Sequence, residues 1–320
     1  MEKVRWGFIG AGNIAKKALY PALMKSEVGE IYAVAGMDET RAKALSPSGR
    51  TYDSYEALIA DPNVEAVYIS LPNSLHIPWS IKAMEAGKHV LCEKPVAMSA
   101  DELRTAIEVK EKTGLYFMEA SWNRWHPRTI RFKELYDSGI IGEAKSIRAC
   151  FTYDGLPIDN IRTLPELGGG GTYDLGPYST VAPLWLLDFA PHSDIETEVT
   201  WHSKGTDETV RTTFTIGNAT AETVTSMNTP DTLYFDVTGE HGSLSMPGNH
   251  AFNSHNEPSA IEITVNGVKT LENFEACDPY QLMADDFSRR IRGQEGWLMP
   301  LSESVAFAEF LDEIFETFNR

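Results

Sequence analysis

Residues 4–15 read VRWGFIGAGNIA, and the order of side chains within that stretch decides how the chain begins. Residues 4–10 form a short apolar run, of strand length rather than helix length. The run breaks at Gly10, and from Asn13 to residue 25 the spacing predicts a helix. Between them, Gly10-Ala11-Gly12-Asn13-Ile14-Ala15 has the pattern G-x-G-x-x-A, the Ala-ended form of the dinucleotide-binding turn. Gly10 allows the tight turn, Gly12 lets backbone approach a pyrophosphate, and Ala15 lets helix and strand pack closely. The helix N-terminus offers N–H groups and the positive end of its dipole to phosphates. Gly10, Gly12, Asn13 and Ile14 are therefore candidate cofactor contacts. A plain tight turn is the competing reading, and the strand-turn-helix setting counts against it.

Working outward, apolar strands are expected at 31–35, 66–70, 89–92 and 115–118. Helices are expected from about 39, at 74–86 and at 100–112. Strands that are apolar throughout and alternate with helices imply a parallel, doubly wound sheet covered on both faces. After about residue 120 the period changes. A helix at 127–137 precedes alternating, Thr- and Val-rich segments at 144–153, 195–202, 210–216, 222–227, 232–238, 243–246 and 261–265. These predict a mostly antiparallel sheet with one covered face, followed by helices at 279–292 and 302–318. The fold class is α/β: a Rossmann domain over 1–120 and a C-terminal α/β domain with a large open sheet over 121–320.

The chain has 320 residues, 42% of them hydrophobic, and a formal net charge of -18. That acidity argues against nucleic acid or an anionic membrane as a partner. Its three cysteines, Cys92, Cys150 and Cys277, form no C-x-x-C pair or zinc-spaced cluster, so no metal is expected and a reducing, cytoplasmic setting is. No apolar run approaches the ~18 residues of a membrane span, and the charged N-terminus is unlike a secretory signal.

The glycine turn also asks for an acidic residue at the end of the second strand, to hold the ribose hydroxyls of NAD. Here that end is Ala35-Gly36-Met37-Asp38. Met37 and Asp38 are the candidates, but Asp38 comes one or two residues late. Arg41 lies one helical turn beyond, and Gly36 leaves room for a 2′-phosphate. NAD and NADP both remain open, with a slight preference for NADP.

Ligands bind outside the carboxyl ends of strands in such sheets. The fourth long strand runs into Glu93-Lys94-Pro95, and the third into Leu71-Pro72-Asn73. Lys94 is thus placed to touch a substrate, Glu93 to hold the loop or meet the cofactor, and Leu71 and Asn73 to meet the ribose side. His76 fits either over the cofactor or at a helix start.

Five segments, GAGNIA (10–15), LPNSLH (71–76), AGKHVLCEKP (86–95), MEASWNRWHP (118–127) and GGGGTYDLGPY (168–178), resemble the glucose–fructose oxidoreductase, inositol dehydrogenase and rhizopine-catabolism (Gfo/Idh/MocA) family. The resemblance implies a Rossmann domain followed by an open-sheet domain through which members associate, hence a homodimer or larger homo-oligomer. It also implies that Lys94 faces the nicotinamide and the substrate oxygen. A developing alkoxide there would be stabilised by the ammonium. Asp174 and Tyr178 are four apart, so a helix starting near Thr172 puts both on one face, with Pro177 in its first turn. Many members carry His where this chain has Tyr178. The tyrosine resembles the branch of dimeric dihydrodiol dehydrogenases and aldose dehydrogenases, in which it is the implied proton donor.

Asp174 would orient a partner or bind a substrate hydroxyl. Trp122, Phe151 and Tyr153 are candidate pocket walls, with core packing as the competing role. Arg124 is placed at the cofactor side or the domain junction. The expected activity is NAD(P)-dependent hydride transfer to or from a sugar, polyol or trans-dihydrodiol. A cofactor-binding sensor and a redox-neutral glycoside-cleaving enzyme stay open.

Overall fold

The computed structural model describes residues 2–157 and 160–318. They divide into two compact units. One holds residues up to Trp122 together with Asp278–Val305. The other holds Asn123–Cys277 and the residues from Ala306 onward.

The first unit carries a six-stranded parallel sheet in the order β3-β2-β1-β4-β5-β6. Its strands are β1 (Val4–Ile9), β2 (Gly29–Ala35), β3 (Thr51–Tyr52), β4 (Ala66–Ile69), β5 (His89–Cys92) and β6 (Phe117–Glu119). Every residue of β4 is buried, as befits a strand covered on both faces. The sequence reading omitted β3, whose two residues establish no period. Helix formation after the glycine turn has an irregularity with a clear cause. A π-helical stretch, Ala15–Leu19, precedes α1 (Tyr20–Lys25), which has Pro21 in its first turn. Proline has no N–H for the α-helical ladder and crowds the carbonyl four residues back, and a widened turn accommodates it. The flanking helices are α2 (Glu39–Ala44), α3 (Tyr55–Ala60), α4 (His76–Glu85) and α5 (Ala100–Thr113). Of these, α3 was not foreseen.

The second unit begins with α6 (Pro127–Asp137) and holds an eight-stranded sheet, order β14-β13-β12-β11-β7-β10-β9-β8. It comprises β7 (Ala144–Thr152), β8 (His192–Trp201), β9 (Asp207–Ile216), β10 (Ala219–Ser226), β11 (Thr232–Gly239), β12 (Gly242–Ser245), β13 (Ser259–Val265) and β14 (Val268–Phe274). Only β7 and β10 pair in parallel; the other pairings are antiparallel. One face is covered by α6, two short helices, α7 (Gly171–Leu175) and α8 (Ala182–Leu186), and the last helix. Phe132 of α6 meets Phe235 of β11 at 5.0 Å between ring centroids.

The expected boundaries, 1–120 and 121–320, need one correction. The chain returns to the first unit through α9 (Pro279–Ile291) and leaves it again within α10 (Leu301–Thr317). The reason lies on one face of α9, where Tyr280, Met283, Ala284 and Phe287 recur at helical spacing and are buried. Phe287 packs on Trp6 at 5.5 Å. Ser288 Oγ accepts the Trp6 indole N–H at 3.1 Å, and Ser26 donates to Asp285 at 2.5 Å. Arg292, just past the helix, reaches both carboxylate oxygens of Glu65 at 2.8 Å. No described helix is long and apolar enough to cross a membrane.

Candidate active site

In the first unit the expected residues gather at the carboxyl ends of the strands. Gly10 has φ 99°, and a Cβ there would sit 3.0 Å from the Ser70 carbonyl, so both backbone and space demand glycine. Gly12 differs. The nearest atom to a Cβ there would be 3.6 Å away, so its own packing does not require glycine, and the space it keeps suits an approaching phosphate. At Gly36 a Cβ would lie 3.0 Å from the Ala11 side chain, so the glycine turn packs against it. Asp38 has a local role. Its carboxylate caps α2, accepting the Arg41 N–H at 3.1 Å, and pairs with Arg41 Nε at 3.4 Å. Met37, at 96% exposure, projects freely at the strand end.

The loop carrying Lys94 is held from several directions. Glu93 is buried, accepts the Tyr68 hydroxyl at 2.5 Å and takes the Lys94 N–H at 3.3 Å; burial raises its carboxyl pKa. His76 is buried with one ring nitrogen 2.8 Å from the Pro95 carbonyl and the other 2.8 Å from the Leu71 carbonyl. His76 is the first residue of α4, and its ring lies between these two carbonyls, donating to one of them when neutral. Burial, the largest influence, pushes its pKa down. Glu119, which the sequence reading did not single out, accepts the Val96 N–H at 3.2 Å and the Ser304 hydroxyl at 2.6 Å. Lys88, the other lysine of the same motif, is tied to the Asp61 and Val64 carbonyls at 2.7 and 2.8 Å. The peptide from Lys94 to Pro95 is cis. Trp122 is 5% exposed and stacks on Tyr280 at 5.1 Å, so it packs as core rather than standing as an open wall.

In the second unit Asp174 lies in α7 while Tyr178 lies three residues past its end, so they do not share a helix face, but the alternation of β7 meets both. Phe151 packs on the Tyr178 ring at 5.4 Å. Tyr153, two residues on and so on the same side, donates to Asp174 Oδ2 at 3.1 Å. The same oxygen accepts from Arg162 Nε at 2.7 Å. Asp174 is the main influence raising the Arg162 pKa, while burial raises that of Tyr153. α7 starts at Gly171, one residue earlier than expected, and Pro177 lies beyond its end rather than in its first turn. Arg124 lies over the Trp185 ring at 5.0 Å.

The glycine run proves to be shaped by a residue absent from the sequence reading. Asp207, buried at the start of β9, accepts the Thr172 N–H at 2.6 Å and so caps α7 from outside the helix. Gly170 has φ 121°, and a Cβ there would overlap the Asp207 carboxylate. Burial pushes the Asp207 carboxyl up to about 6.

A glycine turn after the first strand of a parallel sheet and a lysine in a braced loop after β5 are the features of a dinucleotide-binding unit. The chain belongs to the Gfo/Idh/MocA oxidoreductases. The family's NAD-binding Rossmann model matches residues 4–121 and its C-terminal domain model residues 129–245. The protein is an NAD(P)-dependent oxidoreductase. It is 35% identical to a D-xylose 1-dehydrogenase (NADP(+)) of Haloferax volcanii, over 98% of this chain and 96% of that one. It is 30% identical to a trans-1,2-dihydrobenzene-1,2-diol dehydrogenase of Mus musculus, over 97% and 95%. Its fold matches the crystal structure of KijD10, a 3-ketoreductase from Actinomadura kijaniata in complex with NADP and TDP-benzene. The TM-score is 0.92 and the identity 26%, covering 99% of this chain and 98% of that one.

Proposed function

We propose that the protein interconverts a secondary alcohol or hemiacetal and a carbonyl on a sugar, polyol or trans-dihydrodiol, with Tyr178 as acid–base and Lys94 assisting. The observation that carries this reading is the convergence of Glu93, His76 and Glu119 on the backbone around Lys94. Three buried polar groups around one half-buried loop lysine support a role for its position in the chemistry. A nicotinamide cofactor held there would supply or take the hydride. Lys94 steadies the charge that develops on the substrate oxygen, and the Tyr178 phenol gives that oxygen its proton or, in reverse, removes it. Asp174, braced by Arg162 and Tyr153, holds a further hydroxyl. Phe151 offers an apolar face.

For the cofactor, Gly10, Gly12, Asn13 and Ile14 would hold the pyrophosphate, and Leu71 and Asn73 the ribose beside the nicotinamide. Met37 and Arg41 would face the adenosine end. NADP is favoured over NAD, because the Haloferax volcanii relative is named for NADP(+) and the KijD10 complexes hold NADP. Structures of KijD10 also include variants of one lysine and one tyrosine, the two residue types this mechanism uses. Association through the eight-stranded sheet as a homodimer or larger, and a reducing cytoplasmic setting, complete the proposal.

The test is absorbance at the reduced-nicotinamide band with D-xylose, other aldoses, polyols and a trans-dihydrodiol, each with NAD and NADP. A signal with NADP and a sugar or diol is expected. Silence across the panel, with cofactor binding intact, overturns the substrate class.

A further inference from the structure

Arg162 belongs to none of the motifs that outlined the site, yet the fold holds it there from two sides. Its backbone N–H is capped by the Asn160 side chain at 3.0 Å. Its carbonyl accepts the Gly170 N–H at 2.9 Å, and a Cβ on Gly169 would come within 2.5 Å of that same carbonyl. The glycine run therefore lies flush on the backbone of Arg162, and the side chain extends to Asp174. The arginine keeps 40% of its side-chain surface open and Asp174 keeps 13%.

We infer that Arg162 and Asp174 form a subsite for two neighbouring hydroxyl groups of a neutral substrate, with Arg162 donating to one oxygen and Asp174 accepting from the other. The inference rests on the reading of Asp174 and Tyr178 as the substrate side of the site. Charge decides the ligand class. A guanidinium whose nearest partner is a carboxylate 2.7 Å away forms a pair of zero net charge. A substrate carboxylate or phosphate would gain from Arg162 roughly what it loses to Asp174. A hydroxyl is both donor and acceptor, so adjacent hydroxyls match a donor fork set beside an acceptor. The guanidinium carries five N–H donors, and the Nε bond to Asp174 uses one. Phe151, partly buried beside Tyr178 at 5.4 Å, is an apolar neighbour suited to the C–H face that such a diol carries.

The experiment uses the full chain saturated with NADP, as wild type, Arg162→Met and Arg162→Lys. Binding of D-xylose, D-glucose, D-glucuronate and D-glucose 6-phosphate is measured by calorimetry, and turnover by absorbance. Wild type should bind the neutral sugars more tightly than the two anions. Arg162→Met should weaken neutral-sugar binding and raise KM about 10- to 100-fold, the size of a hydrogen bond to a charged group, with a smaller change in kcat and none in NADP affinity. Arg162→Lys, which keeps the charge and one donor head, should recover part of the loss. Unchanged sugar affinity in both variants overturns the subsite. So does a wild type that binds no neutral sugar or prefers the uronate or phosphate ester. Sugar binding that is lost in Arg162→Met but never followed by turnover would keep the subsite and remove the oxidoreductase reading of it. Turnover unaffected by either substitution would do the reverse.

Discussion

Replacing Gly170 with alanine strikes the junction on which the positions of Asp174 and Tyr178 depend. At φ 121° and ψ 154° the residue occupies a region reserved for glycine, and holding a side chain there costs about 1–3 kcal/mol. The new Cβ would also overlap the Asp207 carboxylate, which must swing away from the Thr172 amide. Loss of a helix cap costs about 0.5–2 kcal/mol, and a buried carboxylate deprived of its donor adds to that. Together these come to about 3–5 kcal/mol, concentrated in the second unit. Urea unfolding gives the stability loss, and kcat should fall with it because α7 carries Asp174. The double variant Gly170→Ala with Asp207→Ala keeps the backbone strain and removes the overlap, so its loss should be smaller than the sum of the two single losses. A Gly170→Ala protein that loses under about 1 kcal/mol and keeps its kcat would refute the reasoning.

Other substitutions separate the remaining roles. Lys94→Ala should lower kcat by about 10²- to 10⁴-fold with cofactor affinity within a few-fold, as titrated by nicotinamide fluorescence; full turnover would remove Lys94 from the mechanism. Tyr178→Phe should lower kcat by about 10²-fold or more while leaving the thermal midpoint nearly unchanged, since the packing on Phe151 is kept. A large midpoint shift would mark the hydroxyl as structural. Asp207 has a folded carboxyl pKa raised from 3.8 to about 6. Its stabilising contribution is therefore complete below about pH 4 and is lost as pH rises through about 6, a difference of about 3 kcal/mol. Asp207→Asn should flatten the pH dependence of the denaturation midpoint between pH 4 and 8, and parallel profiles for the two proteins would contradict the assignment.

The parallel sheet was legible because its strands are mostly apolar runs, broken only at a few positions such as Arg5 and Glu30, a signal that survives without knowledge of neighbours. β3 and β14 were not, for opposite reasons. Two residues cannot establish a period, and an edge strand as exposed as Val268–Phe274 buries too little to show one. α9 announced an apolar face but not the surface it would cover, since Trp6 and Phe287 meet across almost the whole chain. Lys94 stood out through its place at a strand end. Arg162 and Asp207 did not, because a loop arginine and a strand-start aspartate have no pattern, and only the fold brings Asp207 to a helix 35 residues away. Gly36 and His76 have neighbours that sequence spacing could not reveal: the Ala11 side chain against one, two backbone carbonyls around the other.

The return of α9 sets an order on biosynthesis. A ribosome releases the chain from its first residue onward, and the nucleotide-binding sheet is drawn from residues up to Trp122. Yet the partners of Trp6 and Ser26 lie at Phe287, Ser288 and Asp285, so that sheet waits, one flank bare, while more than 150 further residues are made. For most of synthesis the nascent protein carries an unfinished surface. The same threading governs recombination. The chain crosses between units after Trp122, after Cys277 and after Val305, so a hybrid that trades one unit for a relative's must be spliced at all three crossings.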